Sequence, residues 1–581
     1  MSVSLGTNHE PLNNFSIHSI LAVYRMCGIS LIVDKYREHF KDDWTCIKNR
    51  GPDHFDSCTV ECDDGQSYSF QAGVLHIQGE SLCKQPYTDE CGNILLWNGE
   101  LFNTDEDNVV VKNWLSECKE SRGSDTAFVS KLLEGVSDPT EVSAILARLH
   151  GPFAFIYYHK KSQTIIYGRD PFGRRCLLLY RDSYDSDNVA LLTSVAPQEK
   201  TPEPDFTIFE GLDQNQKNPN SLNCSEVSIE GIFVLSLESK KESCVPWPES
   251  RLRLARALID KTYESEEEAA SAAMKSAEDF LQELRDGILR RVSSLGRAPI
   301  DNDTARVGVL FSGGIDSVLL AALLHQCLEE EETIDLINVA FYGEAGNKVE
   351  TPDRLSANSA LIELQSLFPT RKFNYICVDV EPEERQTHEK HVHSLIYPSN
   401  THMDLNIGLA FWFAARGRGV ITSEGDPSVE IKCKCSTARA LLVGIGADEQ
   451  TAGYGRHRNT YLRGGIEALA SELNMDMDRL WKRNLGRDDR CISDSGREAW
   501  FPFLDESVVG LLHSLPLREI ADLREPPGFG DKFIIRQAAR LVGLNSCTEL
   551  VKRAVQFGTR IAKHTNALLG GNRKTKGTDV I

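Results

Sequence analysis

Two stretches of the chain hold residues whose types and spacing suit chemistry. The first is Arg306 to Ser317, RVGVLFSGGIDS. Val307 to Phe311 is a short apolar run rich in β-branched residues, which predicts a buried strand. Ser312-Gly313-Gly314 follows at once, then Ile315-Asp316-Ser317 and the apolar VLLAALLHQCL, which has helical length and a helical apolar face. A strand that breaks at glycines and opens a helix can hold a phosphate. The glycines let the backbone approach the anion, and the helix N-terminus offers unpaired N–H groups. Asp316 beside such a site suits magnesium, which takes carboxylate and phosphate oxygens. No Gly-Lys-Ser/Thr follows, so this is not a Walker loop. Taken alone, the glycine pair reads equally well as a tight turn. The second stretch is Met26-Cys27-Gly28, which heads the apolar run Ile29 to Val33. Cysteine is a strong nucleophile once activated, but a single buried cysteine is commonly just packing.

The bulk numbers limit what these residues can serve. A chain of 581 residues is too long for one core and implies two large domains with a connector. A formal charge of −21 disfavours a nucleic-acid or anionic-membrane surface, and no apolar run is long enough to span a bilayer. Sixteen cysteines without a regular framework read as reduced thiols of a cytoplasmic protein. Cys433-Lys434-Cys435 lacks a second pair and reads as two free thiols in a loop.

Cys27 keeps company that changes its meaning. Arg50-Gly51-Pro52-Asp53, Asn98-Gly99-Glu100-Leu101-Phe102-Asn103, Gly123-Ser124-Asp125-Thr126 and Arg169-Asp170-Pro171-Phe172-Gly173 follow in order. Alone, Arg50 and Asp125 would read as surface charges. Together these motifs resemble the class II glutamine amidotransferase domain of the asparagine synthetase family. The resemblance implies an Ntn-hydrolase sandwich, two antiparallel sheets between helices, and hydrolysis of glutamine. It gives Cys27 the nucleophile's role, with its own α-amine as base if it heads the chain. An α-amine titrates at about 7.7–8.0 and a thiol at about 8.5, so the pair is matched. It gives Asn98 and the Gly99 N–H the oxyanion hole, Arg50 the glutamine carboxylate, and Glu100 and Asp125 the glutamine ammonium. Arg169-Asp170 is expected to pin a turn beside the site.

The second half reads as strand, helix, strand, helix: Val307 to Phe311, Ile334 to Tyr342 and Phe373 to Val378, with helices between. That pace predicts an α/β domain with a parallel sheet and ligands at the strands' carboxyl ends. Val339 is then placed beside an adenine ring. In full, Ser312-Gly313-Gly314-Ile315-Asp316-Ser317 resembles the pyrophosphate loop of the N-type ATP pyrophosphatases, which adenylate a substrate. RALLVGIGADEQTAGYG, Arg439 to Gly455, resembles the second acidic loop of asparagine synthetases. The resemblance makes Asp448 a second magnesium ligand opposite Asp316, and assigns ATP or pyrophosphate to Ser312, Gly313, Gly314, Ser317, Gly444, Lys532, Lys552 and Arg553. The expected organisation is an extension over 1–26, disordered or removed, an amidotransferase domain over 27–205, and a connector over 206–272. An ATP pyrophosphatase domain over 273–568 and a polar tail over 569–581 complete it.

Three departures bear on the substrate. Where the family has Ser-Gly-Glu-Gly, this chain has Val443-Gly444-Ile445-Gly446. Trp500 replaces an arginine, and Ala554 replaces a lysine, leaving Lys552 or Arg553 to serve. The implied activity is glutamine-dependent, Mg-ATP-driven amidation of a carboxylate, by resemblance aspartate to asparagine. Amidation of another acid, lactam formation, and a catalytically weak scaffold remain alternatives. Met26 and the residues ahead of it deny Cys27 a free amine, so the active protein is expected to start at Cys27.

Overall fold

The computed structural model describes residues 27–40, 44–62, 64–76, 82–104, 124–182, 188–197, 222–248, 259, 261, 263–295, 304–343, 350–421 and 432–563. The expected N-terminal extension and polar tail lie outside them.

Strict alternation builds the first half. In the strand Phe153–His159, Ala154, Ile156 and Tyr158 face one core, while Phe153, Phe155 and Tyr157 face another. A strand with both faces apolar must lie inside a layered domain. Its sheet has six strands, ordered Glu242–Pro246, Gly231–Ser236, Thr164–Arg169, Phe153–His159, Ile94–Gly99 and Tyr87–Thr88, all antiparallel. A second antiparallel sheet carries the strand Gly28–Val33 between Ser67–Val74 and Val189–Thr193. The two sheets share the core of Ile29, Leu31, Leu96 and Ile156. The helices Asp125–Leu133 and Pro139–Leu146 cover the outer face of the first sheet, against Trp97 and Phe155. Asn223–Glu226 and Gly231–Ser236 each extend one of these sheets.

The helix Glu266–Ser294 starts where Ser265 accepts from the Glu268 N–H, with Glu266, Glu267 and Glu268 in its first turn. Its buried stripe, Phe280, Leu284, Ile288 and Val292, packs into the second domain's core. That domain holds a seven-stranded sheet ordered Lys432–Cys435, Arg418–Ile421, Phe373–Val380, Ile334–Phe341, Val307–Leu310, Ala440–Leu442 and Glu498–Trp500. The last five strands are parallel, and the first two form an antiparallel edge. The sheet is therefore mixed, mostly parallel, with helices. From Val307–Leu310 the chain runs outward through Ile334–Phe341 to Phe373–Val380, then returns to the other side of Val307–Leu310 as Ala440–Leu442. Strand order reverses there, and open α/β sheets bind ligands at the carboxyl ends of strands around such a reversal.

The two domains meet through buried ion pairs. Arg50 donates to Asp489 Oδ2 at 3.0 Å, and Arg175 Nη1 lies 3.5 Å from Asp489 Oδ1. Arg174 pairs with Glu506 at 2.7 Å and donates to the Leu504 carbonyl at 2.9 Å. Glu226 takes Arg169 at 3.0 Å and Arg490 at 2.5 Å. Removing one member of a buried pair leaves its partner charged and unpaired, at about 3–5 kcal/mol. Asp489→Ala should lower folding stability by about that amount, read as a lower urea midpoint. Lys275→Ala, which breaks an exposed pair with Asp279, should leave the urea midpoint essentially unchanged.

Candidate functional site

Cys27 stands just ahead of the strand Gly28–Val33, so that strand fixes its backbone. Its Sγ accepts from the Leu75 N–H at 3.4 Å. Burial pushes the thiol up to about 12, against the lowering effect of that N–H, with Glu100 and Glu498 adding to the rise. A neutral thiol at pH 7 needs a base to become a nucleophile. A small cavity joins Cys27 to Asn98, Gly99, Glu100, Arg175 and Glu498. A second, of about 40 Å³, joins it to Gln85, Trp97, Gly99, Glu100, Ser124 and Asp125. Asn98 Nδ2 is buried and donates to no group among the described residues. An orphaned amide donor beside a buried thiol is the kind of group an oxyanion hole uses.

Asp125 reaches this cavity because Ser124 caps its helix, accepting from the Thr126 N–H at 3.2 Å. Its Oδ2 accepts from the Leu101 N–H at 2.7 Å. Burial pushes its carboxyl up to about 7, beyond what that hydrogen bond recovers. Burial, with Glu498 and Asp125 nearby, raises Glu100 well above the carboxylate range. Arg50 is placed differently. Its guanidinium is held by Asp489 and Ser493 and donates to the Cys27 carbonyl at 3.3 Å. It holds the Cys27 backbone and lines neither cavity. Arg169 donates to the carbonyls of Arg175 and Gly173, both at 2.6 Å, pinning the turn between them.

The glycine loop lies at the sheet's reversal. Gly313 has φ +73°, and a side chain there would meet the Ala357 backbone at 2.2 Å. Gly314 caps the helix Ile315–Cys327 through its backbone, and Ser312 Oγ accepts from the Gly314 N–H at 3.3 Å. Ser317 donates to the Gly314 carbonyl at 2.9 Å. Asp316 thus sits in the first helical turn, facing the loop that follows Ala440–Leu442. Gly444 lies against Asp316, so that a Cβ there would be 3.0 Å from the Asp316 side chain. Lys532 bridges the two loops, 2.5 Å from Asp316 Oδ2 and 2.7 Å from Asp448 Oδ1. Lys552 pairs with Asp448 Oδ2. Burial alone would raise Asp448, but the two lysines hold its carboxyl well below the usual range. Asp448 correspondingly raises Lys552 against the effect of burial.

These loops open on a cavity of about 380 Å³ that takes in Ser312, Asp316, Ser317, Gly444, Asp448 and Lys552. Val339 packs in the core with Val378 and is absent from the lining, and Arg553 is exposed outside it. Of the two cations offered for the missing lysine, Lys552 is the one at the site. Asp316 Oδ1 is buried and accepts no hydrogen bond among the described residues. No cluster of three or more protein metal ligands occurs among them. Two carboxylates suit magnesium, which draws its other oxygens from phosphate and water.

Glu498 is the site residue that sequence reasoning missed. It lies on the second domain's edge strand, pairs with Arg175, and reaches the Cys27 cavity. Its one sequence signal was a carboxylate between Arg497 and Ala499, just before Trp500.

Comparison with known proteins places the chain. A family model described as a glutamine amidotransferase domain matches residues 74–196. Asparagine synthetase domain-containing protein 1 of Gallus gallus is 34% identical, with 93% of this chain and 97% of that protein covered. The Homo sapiens protein of that name is 33% identical over 93% and 95%. A putative glutamine-hydrolysing asparagine synthetase of Methanocaldococcus jannaschii is 26% identical over 76% and 69%. The chain belongs to the family of asparagine synthetase domain-containing protein 1, among the asparagine synthetase-like glutamine amidotransferases.

Proposed function

We propose that the chain is a cytoplasmic amidotransferase that hydrolyses glutamine in its first domain and adenylates a carboxylate with Mg-ATP in its second. The observation that carries this is the row Asp316, Lys532, Asp448 and Lys552 at the reversal of strand order, beside a glycine loop that opens a helix. Two cations and two carboxylates there suit a triphosphate and its metal. Magnesium held by Asp316 and Asp448 would neutralise the departing pyrophosphate. Lys532 and Lys552 would hold phosphate oxygens, and the free N–H groups of the helix start would face the anion.

In the first domain, Cys27 Sγ attacks the glutamine side-chain carbonyl, and Asn98 with the Gly99 N–H receives the oxyanion; the proton taken from the thiol passes to the amide nitrogen, the C–N bond breaks to release ammonia, and water hydrolyses the Cys27 thioester to glutamate. The Cys27 α-amine would serve as base for this buried thiol in a chain that starts at Cys27, by initiation at Met26 or by cleavage after it. Asp125, once ionised, takes the glutamine ammonium, and the neutral Glu100 carboxyl lies beside it. Ammonia leaves the cavity on the side of Glu498, attacks the acyl adenylate in the second domain, and AMP departs. Free ammonia is mostly protonated at neutral pH, so an enclosed path between the sites follows from the chemistry. In the asparagine synthetases that the chain resembles, the acid is aspartate and the product asparagine.

Asp316→Asn should reduce ATP–pyrophosphate exchange at least 100-fold and leave glutamine hydrolysis within about twofold. Equal loss of both activities would contradict the division of labour. A pH profile tests the first domain. Asp125 titrates near 7 and must be ionised to hold an ammonium, so it is neutral below that pH and competent above it. KM for glutamine should fall about tenfold from pH 6 to pH 8, and Asp125→Asn should flatten that dependence.

A further inference from the structure

We propose that the acid activated beside the glycine loop has an apolar body and carries no α-ammonium group. The inference rests on the adenylation reading and specifies its substrate. The cavity at Asp316 and Asp448 has an apolar side formed by Ile407, Phe411, Val443 and Ile445. Val443 belongs to the domain core, and Phe411 and Ile445 pack against that same core. The apolar side is therefore a continuous, supported wall rather than scattered side chains.

An amino acid needs more than that. Its ammonium must find a carboxylate in the cavity, because an ammonium that loses water without gaining a partner is bound poorly. Every carboxylate of the lining is already engaged. Asp476 holds Arg456, Arg479 and His457. Asp404 and Asp488 hold Arg487, each at 2.7 Å. Glu449 accepts from the Tyr454 hydroxyl at 2.6 Å and from the Gly446 N–H at 3.1 Å. Asp316 and Asp448 hold Lys532 and Lys552. Ile445, which follows Gly444 in the loop that faces Asp316, presents an alkyl group to the cavity. Taking up aspartate would require breaking one of these ion pairs or displacing the Tyr454 hydroxyl from Glu449. An alkyl or aryl acid requires none to break and gains by covering Ile445 and Phe411.

The chemistry balances as in any adenylation. A carboxylate oxygen of the acid bonds to the α-phosphorus while the bond from that phosphorus to the pyrophosphate oxygen breaks, and pyrophosphate leaves with the electron pair. Ammonia then bonds to the acyl carbon, loses a proton, and AMP leaves.

The test compares stable mimics of the adenylate on the full-length protein with magnesium, by titration calorimetry. The ligands are 5′-sulfamoyladenosine and its N-hexanoyl, N-phenylacetyl and N-(β-aspartyl) derivatives. The hexanoyl or phenylacetyl derivative should bind at least tenfold more tightly than the aspartyl one. Ile445→Glu, or Ile445→Gln if the charge prevents folding, should reduce that ratio at least tenfold. Equal or reversed affinities with the parent nucleoside bound would overturn the substrate assignment and leave adenylation standing. Failure of all four to bind would overturn adenylation itself, and this inference with it.

Discussion

Asp489 is a fully buried carboxylate of the second domain whose partners come from the first. It accepts from Arg50 at 3.0 Å and from the Cys176 N–H at 3.1 Å, and it lies beside Arg175. A carboxylate and two guanidiniums cannot be buried separately at tolerable cost, so each domain's charges are satisfied only when the domains are docked. Arg50 carries that constraint to the Cys27 carbonyl, and Arg175 carries it to Glu498 at the cavity of Cys27. Glu498 begins an edge strand that pairs with Ala440–Leu442, whose end launches the loop of Gly444 and Asp448. One run of backbone pairing and buried charge therefore joins the thiol to the carboxylates of the other site. An enzyme that makes ammonia at one place and consumes it at another needs such fixed geometry.

The sequence was most legible where structure is local. Val307 to Leu310, Ile334 to Phe341 and Phe373 to Val380 are apolar runs between turns, and they are strands. Gly313 and Asp316 lie where a strand-glycine-helix motif must put them. Cys433-Lys434-Cys435 reads as a loop but lies in the strand Lys432–Cys435, which pairs with Arg418–Ile421 as an antiparallel edge. Its short segments hold Arg418, Gly419, Lys432 and Lys434 and show no sustained apolar alternation, which suits a strand pair at a sheet edge.

Long-range partners were not legible. Arg50 holds the carboxylate of Asp489, 439 residues away. No periodicity reports such a contact. Val339 occupies the right strand and faces its core instead of the cavity. Lys552 and Arg553 are adjacent in sequence and could not be told apart there. The fold separates them, because only Lys552 reaches Asp448. Asp448 and Lys532 were assigned by resemblance, and their pairing explains why both can be buried: each supplies the other's counter-charge.

The account's central claim is that Cys27 is the nucleophile of a working glutaminase. The most direct measurement treats the native protein with 6-diazo-5-oxo-L-norleucine, a glutamine analogue that alkylates a nucleophile bound at its side chain, and reads intact mass and the modified peptide. The account predicts one adduct, on a Cys27 that is the first residue of the chain. An unmodified Cys27 with residues ahead of it retained, or an adduct on another cysteine, would contradict it.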